Sequence, residues 1–219
     1  MSSGPATAGD YRDAALSLAE RDPVIARLVD ATGLPQIAPP TEAPFAALVR
    51  AITQQQIATA AARAIHGRLR AALADDVSPR NMVALTVPEL RAVGLSGNKA
   101  TSLLDLAAKT LDGTLDLEPG ELARQSDEEI VRRLTTVRGI GKWSAEMFLM
   151  FQLLRLNIWP TGDLAVRKGY AVGWDVEIPT PKQLDVIGEA YRPYRSVAAW
   201  YCWAALRATT SPGFSPTIP

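Results

Sequence analysis

Apolar residues at Ile130, Leu134 and Val137 are spaced four and three apart, which puts them on one face of a helix. Gly139-Ile140-Gly141 interrupts the run, and a second apolar helix begins at Lys142. Helix starts elsewhere in the chain carry their own local chemistry. Asp22-Pro23, Ser78-Pro79 and Thr180-Pro181 each place a capping side chain before a proline at the first helical position. Ser126 to Glu129 and Thr180 to Gln183 fit the capping box, whose last side chain returns to the amide of the cap residue. Gly94 and Gly113 stand where helices should stop, because a left-handed residue past a helix end is cheapest as glycine. The only strand-like alternation, Asp175 to Pro179, is too short to nucleate a sheet. The pattern predicts an all-α fold of about ten helices with short connections.

Two breaks organise these helices. Ala31 to Thr41, with Pro35, Pro39 and Pro40, looks like a crossing linker, and a second break lies at Asn157 to Gly162. They predict a central helical domain over 42–156. The helices of 1–41 are expected to pack with a C-terminal helical domain over 157–219.

Composition narrows the function classes. With 47% hydrophobic residues in a chain of 219, there is enough apolar material for compact cores. No apolar run approaches the roughly 20 residues that span a bilayer. The first residues, MSSGPATAGD, lack the basic start and apolar stretch of a secretory signal and read as a loose tail, so a cytoplasmic protein is expected, nucleoid-associated when on DNA. The single cysteine, Cys202, allows no internal disulfide, cysteine zinc site or iron-sulfur cluster. A single histidine, His66, argues against a histidine metal site or a Ser-His-Asp triad. Basic and acidic residues balance at 23 each, so any affinity for nucleic acid must come from local arrangement.

The glycine interruption is the most informative local arrangement. Glycines at 139 and 141 permit backbone angles closed to other residues, and Ile140 between them can plug into the core. Amides at the start of the following helix then point outward, where the helix dipole also favours an anion such as a DNA phosphate. Arg132, Arg133, Arg138 and Lys142 add local positive charge.

The longer run Val137-Arg138-Gly139-Ile140-Gly141-Lys142-Trp143-Ser144-Ala145-Glu146-Met147 resembles the helix-hairpin-helix-GPD superfamily of DNA glycosylases, and most closely its alkylation-repair branch, 3-methyladenine DNA glycosylase II. The likeness extends through residues 51–62, 90–106, 134–170 and 191–206. It implies two helical subdomains with the active site in the cleft between them. It also implies a monovalent cation, Na⁺ or K⁺, held by backbone carbonyls near Val137 and Ile140, with no cofactor required for the chemistry. Gly139, Gly141, Arg138 and Lys142 would contact DNA.

Asp163, in Trp159-Pro160-Thr161-Gly162-Asp163-Leu164, matches the family's catalytic aspartate. A fixed carboxylate facing C1′ would stabilise the positive charge that builds on the sugar as the base departs. From its neighbours alone, Asp163 fits a helix N-cap equally well, and the two roles are compatible. Trp143 and Trp203 match pocket positions, with Met147 beside them, and indole faces suit a cationic alkylated base. Both tryptophans could also be ordinary core residues. Gln56 falls at the position that fills the gap left by an everted base, where many relatives have leucine, and Gln55 before it is a further candidate DNA contact. A polar helix end would look the same. Ser96 and Lys99, at the start of another helix, are candidates for a second phosphate contact. Strand-nicking members carry a lysine where this chain has Trp143, so the resemblance implies a monofunctional enzyme; it is expected to act on double-stranded DNA and to be a monomer. A bifunctional glycosylase/lyase and a non-catalytic DNA-binding module are the alternatives.

Overall fold

The structure, a computed structural model, describes residues 6–210. All regular elements among the described residues are helical. The chain divides into two compact units, one of residues 41–148 and one in which 6–40 join 149–210.

The first unit holds α3 (Pro44–Gln54), α4 (Thr59–Ala72), α5 (Pro79–Val83), α6 (Val87–Ala92), α7 (Gly97–Leu111), α8 (Pro119–Arg124) and α9 (Asp127–Leu134). It also holds most of α10 (Lys142–Phe151), within which the division falls. Ser96 starts α7 by accepting the Lys99 N–H at 3.3 Å, and the helix contacts α3, α5 and α6. Its buried face carries Ala100, Leu103, Leu106 and Ala107 at the three-and-four spacing of a helix, so the unit has a continuous apolar centre.

The second unit holds α1 (Ala8–Arg21), α2 (Pro23–Thr32), α11 (Leu164–Trp174), α12 (Pro181–Gly188), a 3-10 turn at Glu189–Tyr191 and α13 (Arg195–Thr210). Asp22 ties its two chain segments together. One carboxylate oxygen caps α2 through Val24 N at 2.7 Å, and the other accepts Trp174 Nε1 at 2.9 Å and the Tyr191 hydroxyl at 3.0 Å. Burial pushes the Tyr191 hydroxyl above its ordinary value, so it remains a donor to that carboxylate.

The tightest packing in this unit is α11 on α13. Gly169 faces the backbone of Cys202 so closely that a Cβ would overlap the Cys202 carbonyl oxygen. Four residues on, a Cβ at Gly173 would still lie 3.5 Å from Ala205. The absence of side chains lets two helix backbones meet directly.

Several details differ from expectation. Thirteen α-helices are present among the described residues, and the excess over about ten lies in short ones such as α5, α6 and α8. Helices of five or six residues hold too few apolar positions to display a period. Thr180 forms the full capping box, but Ser126 forms only half of one. Glu129 turns its carboxylate to Arg132 (2.8 and 2.6 Å) and Arg133 (2.6 Å) instead of to the cap amide. The tail MSSGPATAGD already contains the start of α1, whose capping box runs from Thr7 to Asp10, and its first five residues lie outside the described set. Residues 211–219 of the expected C-terminal domain also lie outside it. The division after Phe148 precedes the expected break at 156, because the end of α10 belongs with α1. There the Tyr11 hydroxyl donates to Met150 O at 3.4 Å.

Two glycine substitutions should act in opposite directions. Gly169→Ala should force α11 off α13 and cost about 1–3 kcal/mol or more, as overpacking does. Gly67→Ala adds a Cβ that meets nothing within 4 Å in the interior of α4. It should therefore stabilise by roughly 0.5–1 kcal/mol through lost chain entropy. Thermal melts check both, at about 2–4 °C per kcal/mol for a chain of this size.

Candidate functional site

The turn between α9 and α10 is a glycine hairpin closed from within. Ile140 and Val137 are buried, and the Ile140 N–H donates to Val137 O at 3.1 Å. Gly139 has φ +79°, and a Cβ there would lie 2.6 Å from the Ser102 hydroxyl oxygen, so both conformation and space demand glycine. Gly141 differs from expectation. Its φ is not left-handed, and an added Cβ would meet nothing within 4 Å. What Gly141 provides is open space beside the first turn of α10. A helix start leaves N–H groups without intrahelical partners there, and its dipole favours an anion.

One face of α7 holds this hairpin. Asp105 accepts the Arg138 N–H at 2.7 Å, and Lys109 reaches both Asp105 (2.8 Å) and Thr136 O (2.5 Å). Burial works against the Asp105 charge, but the hydrogen bonds from Arg138 and Lys109 outweigh it and hold the carboxyl below its usual value. Ser102, between Lys99 and Asp105 on the same face, is the residue that Gly139 abuts. Sequence reasoning missed Ser102, Asp105 and Lys109. Their only sequence signal was the Asp105/Lys109 pair at helical spacing.

The turn after α3 comes into the same cluster. Gln55 Nε2 donates to Gly139 O at 3.1 Å, and Gln56 is exposed with φ +57°. A non-glycine residue held there costs roughly 1–3 kcal/mol. Lys99 directs its ammonium to Thr53 O and Gln55 O, not outward as a phosphate ligand would. Ser96 serves as the cap of α7 and is exposed.

Local positive charge is smaller than a count of basic residues implies. The Arg132 and Arg133 hydrogen bonds hold the Glu129 carboxyl down to about 2, so these two cations already have an anionic partner. Lys142 lies 3.6 Å from Glu146, with its own side chain 71% exposed. Arg138 is exposed. Trp143 and Met147, four apart on α10, share a helix face, and Trp143 remains 49% exposed although it is the largest apolar side chain there.

In the second unit Asp163 is the N-cap of α11. Its carboxylate accepts Ala165 N at 2.7 Å and Val166 N at 3.0 Å, and the residue is only 9% exposed. The side chain is thereby held by the backbone of its own helix, and the adjacent Leu164 is 50% exposed. Trp203, on α13 next to the Cys202 that Gly169 meets, is half-buried, with its ring centroid 5.8 Å from that of Phe151. The Gly169 contact thus ties the helix capped by Asp163 to the helix that carries Trp203.

Carbonyl oxygens suit a monovalent cation. Val137 O accepts one N–H and retains a second lone pair, so that carbonyl has the donor capacity the implied Na⁺ or K⁺ would use. Gly139 O, in contrast, is engaged by Gln55. Among the described residues no group of three or more His, Cys, Asp or Glu side chains could hold a metal ion.

Residues 49–190 match the family described as HhH-GPD superfamily base excision DNA repair protein. The chain belongs to the HhH-GPD superfamily. DNA-3-methyladenine glycosylase 1 of Schizosaccharomyces pombe is 35% identical over 163 residues, 73% of this chain and 71% of that protein. DNA-3-methyladenine glycosylase 2 of Escherichia coli is 29% identical over 127 residues, 58% of this chain and 41% of its own length. Among solved structures, S. pombe 3-methyladenine DNA glycosylase (Mag1) in complex with abasic DNA has a TM-score of 0.76 at 31% identity, covering 93% of this chain and 100% of that one. The DNA-3-methyladenine glycosidase of Bacillus halodurans has a TM-score of 0.81 at 28% identity, with 90% of each chain covered.

The two glycines of this HhH-GPD hairpin should separate folding from binding. Gly139→Val should lower the melting temperature and weaken binding to undamaged duplex together. Gly141→Val should leave the melt nearly unchanged while weakening binding, because its side chain would occupy the open space beside the first turn of α10, where an anion is expected. Thermal melts paired with fluorescence anisotropy check this, with exposed Glu128→Gln as the control. Full-strength binding by a folded Gly141 variant would remove the phosphate role from the hairpin.

Proposed function

We propose that this chain is a monofunctional DNA glycosylase that hydrolyses the N-glycosidic bond of alkylated purines, of the 3-methyladenine type, in base excision repair. The observation that carries this reading is Asp163: a nearly buried carboxylate, fixed by two amide hydrogen bonds, at the residue that the resemblance matches to the family's catalytic aspartate. Relatives named DNA-3-methyladenine glycosylases support the substrate class.

In this reading the damaged base leaves the stack of a duplex and Gln56 fills the gap. The α10 amides, with Arg138 and Lys142, hold a phosphate, and a Na⁺ or K⁺ on the Val137 and Ile140 carbonyls would add positive charge to the same turn. Trp143, Met147 and Trp203 offer π faces and a polarisable thioether to a base whose positive charge makes it both a cation-π partner and a good leaving group. As the C1′–N bond lengthens, charge builds on the sugar. A carboxylate that is already immobile needs no reorganisation to stabilise that charge, and in this reading it also orients the incoming water. The reaction adds water across one bond and needs no redox partner. The protein acts on damaged double-stranded DNA as a monomer, in the cytoplasm.

A lyase step would need an amine to form a Schiff base with C1′. Trp143 stands where strand-nicking members carry lysine, and the neighbouring Lys142 directs its ammonium towards Glu146. Borohydride treatment during turnover should therefore trap no protein-DNA adduct, and the abasic strand should stay intact. Efficient trapping that disappears in Lys142→Ala would make the enzyme bifunctional.

Asp163→Asn should separate chemistry from folding. Asparagine caps a helix about as well as aspartate, so the melt should barely move. Single-turnover release of the damaged base should fall by on the order of 10²-fold to 10³-fold, the usual effect of deleting one preorganised electrostatic group. Affinity for lesion DNA should be kept or raised, since a carboxylate near phosphates is repulsive in the ground state. Near-normal release by this variant would sink the mechanism.

A further inference from the structure

α3 ends without a glycine. Gln55 closes the helix, and Gln56 takes the left-handed conformation that a residue just past a helix end often adopts and that glycine adopts most easily. Such an end leaves backbone carbonyls that need donors. They are supplied from the first turn of α7, where Lys99 Nζ lies 2.8 Å from Thr53 O and 2.7 Å from Gln55 O. A cation at a helix C-terminus is also favoured by the dipole. The Gln55 side chain then joins the turn to the hairpin through Gly139 O at 3.1 Å. The turn is gripped from behind while Gln56 and Ile57 stay exposed on its outer side.

We propose that Lys99 is a positioning residue for base eversion. Its ammonium holds the turn over 54–57 so that Gln56 enters the duplex in one conformation, and Gln55 registers that turn against the phosphate-binding hairpin. The proposal rests on the reading of Gln56 as the residue that fills the gap. Two of the three ammonium donors are committed to backbone carbonyls, so what Lys99 supplies is stiffness of the turn in place of a released counterion.

Lys99→Met keeps the methylene stem and removes the ammonium. Salt dependence of binding to undamaged duplex should be unchanged, and amide hydrogen exchange over 54–58 should quicken in the free protein. Single-turnover base release should fall about tenfold on a matched duplex and much less on a mismatch, where the unstacking is already partly done. Adding Gln56→Ala should bring no further loss, because both changes act through one side chain. A salt slope shallower by about 0.9, the signature of one lost phosphate contact, with exchange unchanged, would overturn the proposal. Faster exchange with equal losses on both duplexes would overturn the eversion role as well. A Gln56→Ala protein as active as the parent on both duplexes would remove the gap-filling reading itself and leave the exchange result to report on Lys99 alone. If Lys99→Met does not fold, Gln55→Met decides: it cuts only the link to Gly139 and should give the same matched-over-mismatched asymmetry, and equal activity on both duplexes would overturn the coupling.

Discussion

The site in the second unit depends on an absent side chain. At Gly169 the backbone of α11 meets the backbone of α13, and no other residue could occupy the position without moving one helix. Asp163 caps the first of these helices and Trp203 rides on the second. A close-packed interior transmits such displacements with little relaxation. The carboxylate is fixed twice over, by its own helix through two amides and by that helix's contact with its neighbour. Electrostatic catalysis asks for this arrangement, because a group that must reorganise as charge develops loses much of its effect.

In the first unit the same task falls to polar side chains along α7. Lys99, Ser102, Asp105 and Lys109 follow one helix face and touch, in order, the turn after α3, the hairpin glycine, the Arg138 amide and the Thr136 carbonyl. A helix rises a fixed 1.5 Å per residue, so it sets the spacing between the two exposed turns. Because Glu129 engages Arg132 and Arg133, the proposed phosphate contact at the hairpin rests more on backbone amides than the net tally of basic side chains would indicate. A chain with no net charge can hold a polyanion in this way.

What was legible in the sequence is mostly chemistry completed within a few residues. The caps at Asp22, Ser78 and Thr180, the plug at Ile140 and the cap at Asp163 all find partners close by in the chain, and each reads correctly. The misreadings involve competition from elsewhere. Ser126 and Glu129 look like a complete capping box until arginines one turn on take the carboxylate. Gly139 and Gly141 are indistinguishable in sequence, yet only one is pressed by Ser102 from another helix. Lys99 looked like a surface cation because its carbonyl partners at Thr53 and Gln55 lie far upstream. Gly169 gave no local sign, since its reason is the Cys202 carbonyl on α13. Period and cap place Asp163 at the start of α11, and only the family resemblance gives a reason to propose chemistry for that carboxylate.

The residue whose backbone meets Gly169 also carries a buried thiol. Cys202 is the only cysteine in the chain and has no exposed surface. Burial pushes its thiol up, and the nearby carboxylates of Asp163 and Asp22 push in the same direction. Thiolates are the strong nucleophiles of proteins, and the agents that methylate purines are electrophiles that attack them as well. Here the thiolate is suppressed and the sulfur is out of reach. An enzyme with this reading works amid alkylating chemistry without offering its own cysteine as a target.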